Sequence, residues 1–323
     1  MNRIRTALAV AFLFCSAAAW AAIDSPIHKT FNVAPGGTLT LDADVGDVRV
    51  TSGGNGVTVD VKRRARSEDA LRDFTVTFDQ QGNNVSVSAK YNRPNHWFNW
   101  TNDLDVSFVI TVPSNYNLQL ATSGGDIKIG DLQGQVRART SGGDLTLGNI
   151  NGPVDAKTSG GDMSIASARG KLDLNTSGGD IKIGDADGPA TAKTSGGSID
   201  IHRVTGDLYA HTSGGGISID EALGAIDAST SGGSIRARLS QQPRGESRLS
   251  TSGGGITVSL AGNVSVDVDA HPSGGDVESD LPITILGKQS EGDLAGKING
   301  GGPRLVLRSS GGSIRLHLSL IHI

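Results

Sequence analysis

"TSGGDIKIGDADGPATAK", residues 176–193, is the phrase on which the reading of this chain turns. The same eighteen-residue unit, lightly edited, starts at Thr122, Thr140, Thr158, Thr176, Thr194 and Thr212. Numbered from the Thr, columns 1 to 4 are Thr-Ser-Gly-Gly in every copy. Columns 6 and 8 are apolar, as in Ile127/Ile129, Leu145/Leu147 and Ile181/Ile183. Columns 15 and 17 are apolar again, as in Val136/Ala138, Val154/Ala156 and Leu208/Ala210. The positions between them, columns 5, 7, 14, 16 and 18, are mostly polar or charged. Alternation over about five residues is the period of a β-strand, not of a helix. Each unit therefore holds two short strands separated by two turns. Column 13 is Gly in all six copies, nine residues after the column-4 Gly. Glycine fixed at turn positions predicts backbone dihedrals closed to other residues.

One such unit cannot stand alone, because its four apolar side chains do not offset the conformational entropy of eighteen ordered residues. Stacked in register, the strands pair with their counterparts in the next coil and the inward rows make one core. The expected fold is all-β: a single-chain parallel β-solenoid with coils of about eighteen residues and two short strands each. The crossover rule favours right-handed winding.

The pattern extends beyond the exact copies. Thr230 and Thr251 head units with three-residue insertions, Pro272 replaces Thr in "PSGGDVESD", and "SSGGSIRLHL" follows from Ser309. Upstream, "GDVRVTSGGNGVTVDV" (46–61), "DFTVTFD" (73–79), "NVSVSAKY" (84–91) and "DVSFVITVP" (105–113) read as strands. "SEDALRDF" (67–74) reads as a short helix, with Ser67 as N-cap and acids in its first turn. The chain thus divides into residues 1–21, an export signal; 22–121, an N-terminal cap with degenerate first coils; and 122–323, the TSGG repeat. The last two are continuous. The closing "LSLIHI" (318–323) stops within a strand pattern, and His322 is assigned no role.

The export reading rests on "MNRIRTALAVAFLFCSAAAWAA". Arg3 and Arg5 supply the positive start, an apolar run follows, and Ala19-Trp20-Ala21 is a small-x-small cleavage site. The apolar run is short for a membrane span, so no transmembrane anchor is expected and the destination is the periplasm or the cell surface. Cys15 is the only cysteine, inside the signal, so thiol chemistry and internal disulfides are excluded from the mature chain. The whole chain carries a formal charge of −4, and removal of Arg3 and Arg5 makes it more acidic. That argues against a nucleic-acid partner. With 46 Gly and only 4% aromatic residues, a core built on aromatic rings is also excluded.

The "TSGGDI" phrases, the entry "VPSNYNLQLATSGGDI" (112–127) and the ending "INGGGPRLVLRSSGGSIRL" (298–316) resemble a bacterial exported β-strand-repeat family labelled "putative adhesin", a domain of unknown function. The resemblance spans nearly all of the mature chain. It implies an exported β-solenoid and brings no catalytic residues with it.

Several features invite chemistry. Calcium-binding nonapeptide β-rolls place an Asp two residues after the last Gly. Here that slot is column 6, filled by Ile127, Leu145, Met163, Ile181, Ile199 and Ile217, so that site is not encoded. Asp sits instead at column 5, as Asp126, Asp144, Asp162 and Asp180. Such a stack is either a row of solvated turn residues or a weak cation ladder. By strand parity the column-1 Thr points inward and bonds turn backbone, rather than forming a flat ice-binding face. The segment "YNRPNHWFNWTND" (91–103) breaks the repeat, and Tyr91, Trp97, Phe98 and Trp100 there are the candidate glycan- or protein-binding residues. The alternative is that they plug the solenoid's open end or cover an edge strand. "VKRRAR" (61–66) reads as a charged edge strand or an anion-touching patch. His202 and His211 fall on opposite sheets and do not form a metal pair.

No catalytic motif appears, and carboxylates that recur identically from coil to coil do not gather different groups at one place. The chain is read as non-enzymatic, without cofactors. It serves as a cell-envelope interaction module for a glycan or a protein, with a purely structural envelope spacer as the alternative and a polysaccharide-acting enzyme third.

Overall fold

The structure, a computed structural model, describes residues 22–92, 104–285 and 292–319. The export signal (1–21) and Trp97, Phe98 and Trp100 lie outside the described residues. The regular structure of the described residues is almost wholly strand, arranged in a 16-stranded and a 15-stranded sheet. Each repeat contributes one strand to each sheet, such as Ile181–Asp187 to the first and Ala190–Lys193 to the second. Pairing is parallel and steps by eighteen residues: Leu145 pairs with Met163, Met163 with Ile181, and Ile181 with Ile199. This is the parallel β-solenoid that the repeat dictates.

The inward rows form one core. Ile127, Leu145, Met163, Ile181 and Ile199 from the first sheet are all at most 1% exposed, as are Ala138, Ala156, Ala192 and Ala210 from the second. The second wall pairs this small row with a larger one, the buried Val136, Val154, Leu172, Leu208 and Ile226. A third inward row accompanies them at column 11: Leu132, Ile150, Ala168, Ala186, Val204 and Ala222 are buried and stack on one another. Sequence reasoning by a period of two missed it, because column 11 lies three residues after column 8. An odd step returns a side chain to the inner face only where the regular alternation is interrupted, and the ladder does skip one residue there, at Gly148, Ala166 and Gly184.

The coils do not stack in chain order at either end, contrary to the simple sequence expectation. Thr38–Ala43 and Asp47–Ser52 form one rung. On one side it pairs with Asn84–Tyr91 and Leu104–Val112, and on the other with Asn117–Thr122 and Ile127–Ile129. Between Val112 and Asn117 the chain therefore passes over an earlier rung. The other end mirrors this. Arg304–Ser309 and Ile314–Ser319 insert between the rung of Ser247–Thr251 and Ile256–Ala261 and the rung of Val266–Pro272 and Val277–Ser279.

Antiparallel strands cover the outer rungs. Val57–Ala65 runs against Leu104–Val112 and is itself covered by Ile23–Asp24 and Ile27–Phe31. Phe74–Gln81 runs against Asn84–Tyr91, and Leu294–Ile298 against Val266–Pro272. Such covering suppresses edge-to-edge pairing with other chains. The charged "VKRRAR" segment is thus an inner strand of the N-terminal cap, paired on both sides, and not the edge strand that its charge suggested. The helix is present as Glu68–Arg72, with the Ser67 hydroxyl accepting from the Ala70 N–H. Aromatic side chains concentrate in this cap: Phe74, Phe108 and Tyr116 are fully buried, and the Tyr116 hydroxyl donates to the Asn83 carbonyl.

Candidate binding faces

The corner made by Thr-Ser-Gly-Gly-Asp is closed by its own hydrogen bonds. The Thr140 hydroxyl donates to the Gly125 carbonyl of the preceding coil at 2.8 Å and accepts from the Gly143 N–H of its own. Thr158, Thr176, Thr194 and Thr212 repeat this with Gly143, Gly161, Gly179 and Gly197. These threonines are at most 7% exposed. A buried hydroxyl with both functions satisfied is a structural bridge, and it leaves no Thr face to bind ice or ligand.

Column 4 is glycine because of close approach. A Cβ at Gly143, Gly161 or Gly179 would meet the backbone carbonyl of the coil before it at under 3.0 Å. None of these three has a positive φ, which corrects the expectation that turn dihedrals select the glycine. That expectation holds at parts of column 13, where Gly134 and Gly188 have φ of 145° and 144°.

The column-5 carboxylates are engaged from rung to rung. Asp126 Oδ1 accepts from the Asp144 N–H at 2.9 Å, Asp144 from Asp162 at 2.8 Å, Asp162 from Asp180 at 2.8 Å, and Asp180 from Ser198 at 2.7 Å. Asp47, in the displaced first rung, begins the series by accepting from Asp126. Each charge is thus stabilised by a backbone amide, which offsets repulsion between stacked neighbours. Among the described residues no cluster of three or more His, Cys, Asp or Glu side chains is placed to hold a metal ion.

Tyr91, the one described aromatic of that segment, is half-buried. Its ring meets Phe74 edge-on at 5.2 Å, its N–H donates to Asp44 Oδ2, and burial with the nearby Asp44 charge pushes its phenol up. Here it acts as an anchor of the cap. In the basic segment Arg63 is held by Ser25, at 2.7 Å to its hydroxyl, and burial lowers its pKa. Arg64 lies 3.5 Å from Asp24. His202 and His211 sit on opposite sheets, as expected: His202 is 3.6 Å from Asp220, and His211 bonds Ser229 at 2.7 Å.

The outward face of the second sheet carries a feature that the repeat alignment passed over. Tyr209 is 38% exposed, with Lys193 Nζ 4.8 Å from its ring centroid. Thr191 and Asp227 flank it in register on the neighbouring rungs, and His211 follows it on its own strand. Its signal was available, since column 16 is Thr, Asp or Arg in most other copies and tyrosine only here. Further along the face, Arg137, Arg139 and Lys157 converge on Asp155 at 3.4, 3.5 and 3.7 Å.

The C-terminal cap holds a tighter cluster. Asp269 accepts from Arg304 at 2.6 Å and Arg308 at 3.1 Å and contacts His271 at 2.6 Å, while the other His271 nitrogen lies 2.8 Å from Asp293. Burial pushes the Asp269 pKa up, but Arg308, His271 and Arg304 together outweigh it and hold the carboxyl below its ordinary value.

These features define a capped, two-sheet parallel β-solenoid whose polarity faces outward in ladders. The chain belongs to the Toastrack DUF4097 family, whose pattern matches residues 37–317. No curated protein matches it. Among solved structures it is similar to a "putative cell adhesion protein" from Clostridium sporogenes, at 10% identity and TM-score 0.25, covering 93% of this chain and 100% of that one. It is also similar to a "putative adhesin" from Parabacteroides distasonis, at 11% identity and TM-score 0.36, covering 90% and 97%. A "putative lipid binding protein" from the same organism matches at 12% identity and TM-score 0.33, covering 90% and 96%. At these identities and TM-scores the neighbours bear on neither function nor ligand.

Proposed function

We propose that this chain is an exported, non-enzymatic interaction module of the bacterial envelope, and that the outward face of its second sheet engages a glycan. The supporting observation is Tyr209: a large aromatic ring left exposed on the outward face of the second sheet, among hydroxyl, carboxylate and imidazole groups. Aromatic rings with polar rims serve as anchors in recognition because they bury much area at low entropic cost. Repetition supports a non-enzymatic role, since Asp126, Asp144, Asp162 and Asp180 recur in the same place and each accepts a backbone N–H of the next rung. A screen of the mature protein against envelope glycans and envelope fractions tests the reading. Saturable retention that falls with Tyr209→Ala supports it. Release of new reducing or unsaturated sugar ends would instead make the protein an enzyme. Trp97→Ala/Trp100→Ala belongs in the same screen as a test of the aromatic segment. The spacer alternative draws on the unbroken two-sheet stack, and it predicts no retention by any variant.

A further inference from the structure

The column-5 row of acids is interrupted in one part of the first sheet. After Asp180 the row continues in space as Ser198, Gly216, Ser234, Gly255 and Ser313 before an acid returns at Asp276. Beside that gap, the next outward row turns basic. Arg236, Thr257 and Arg315 stand in register on three successive rungs. With rungs about 4.8 Å apart, the two arginines flank Thr257 at roughly twice that spacing. Together with Ser234, Gly255, Gly312 and Ser313 they line an open cavity of about 270 Å³.

The polar groups there are set to donate. Ser234 Oγ accepts from the Gly255 N–H at 3.3 Å, and Ser313 Oγ accepts from the Asp276 N–H at 3.4 Å. Each hydroxyl therefore keeps its hydrogen for a partner in the cavity. Arg236 forms no ion pair among the described residues, and Arg315 uses only its Nε, on Glu278 at 2.9 Å. Arg238 continues the basic row on the next outward position, and His317, two rungs away in register, is held by Asp280 at 2.6 Å. The acids nearest the cavity, Asp276 and Glu278, lie together at one end of it. Glycine at 255 keeps the floor low, since a Cβ there would meet the Ser313 carbonyl at 2.8 Å.

From this we infer that the Ser234–Arg236–Thr257–Arg315 cavity is an oxyanion site, taking a carboxylate, sulfate or phosphate group between its two guanidinium groups. Planar guanidinium forks match such groups in geometry as well as charge. The site lies on the sheet opposite Tyr209 and stands whether or not that face binds a glycan.

The test uses the full mature chain and three probes: inorganic sulfate, inorganic phosphate, and polygalacturonate as a polymer carrying carboxylates. Calorimetric titration of wild type, Arg236→Met and Ser234→Asp is expected to show saturable binding in wild type. Each variant should weaken it at least about tenfold. Ser234→Asp is the decisive variant. It places a carboxylate in the cavity, yet a column-5 Asp accepts the next rung's N–H at Asp126, Asp144, Asp162 and Asp180. The melting temperature should therefore be unchanged. Binding of the inorganic ions makes a free oxyanion sufficient as ligand. Binding of the polymer alone, lost in both variants, makes the displayed carboxylate the ligand. The inference is overturned if none of the probes binds wild type, or if Ser234→Asp binds them as wild type does. Retention of oxyanion binding in Tyr209→Ala separates this site from the glycan face.

Discussion

Gly142 and Gly143 are neighbours in one phrase yet stand in opposite surroundings. A Cβ at Gly142 meets nothing within 4 Å, whereas at Gly143 it would strike the Gly125 carbonyl. Gly143→Ala is expected to destabilise by about 1–3 kcal/mol through overpacking, and Gly142→Ala to stay within about 0.5 kcal/mol of wild type. Urea unfolding of the pair checks this. Asp162 offers a second contrast. Asp162→Asn keeps the Oδ1 acceptor for the Asp180 N–H and should change little. Asp162→Ala removes it and should cost about 0.5–1.5 kcal/mol, read in the same urea series. If the carboxylates acted instead as a cation ladder, Asp162→Asn would abolish a calcium-dependent rise in melting temperature. The geometry predicts no such rise in wild type. At this scale the inward Thr and its hydrogen bonds were legible from strand parity. The reason for the glycines was not, because a close approach between coils leaves the same mark in sequence as a special dihedral.

The strands of a mid-solenoid coil follow from local alternation, but the order of the end rungs does not. Whether Asn117–Thr122 stacks on the rung just completed or on an earlier one is decided by pairing between segments about 80 residues apart, such as Leu39 with Leu118. No local period encodes that choice. The column-11 row was hidden by its odd spacing, although every copy is apolar there. The inserted C-terminal rung makes a specific prediction for hydrogen exchange. Amides of Leu305 to Leu307, hydrogen-bonded between two other rungs, should exchange as slowly as those of Leu172 to Leu174. Fast exchange at 305–307 would mean that this rung frays as a terminal one. The neighbouring Asp269 cluster adds a pH dependence. Its folded pKa lies below the unfolded one, so its stabilisation is complete above the ordinary carboxylate pKa. That stabilisation is lost as pH falls through the folded value. Asp269→Asn should therefore lower stability at neutral pH and flatten the acid limb of a stability–pH curve, relative to wild type.

In the whole molecule, Thr, Gly and Asp ladders run along one corner and tie rung to rung, so stability is shared between nearest neighbours along the stack. On the proposed reading, function is carried by what differs between rungs on the outside, above all Tyr209 on one sheet and the Arg236–Arg315 cavity on the other. Composition and the absence of catalytic motifs pointed toward an interaction module. The exposed tyrosine and the gap in the acid row became meaningful only once register placed them beside their neighbours. The most direct test of the claim that the repeat is architecture and its outer exceptions carry recognition is one retention experiment on immobilised envelope glycan, comparing wild type, Asp162→Asn and Tyr209→Ala. The account predicts wild-type retention for Asp162→Asn and loss for Tyr209→Ala, with all three folded by circular dichroism. Loss for Asp162→Asn with full retention for Tyr209→Ala would contradict it and return function to the repeated corner.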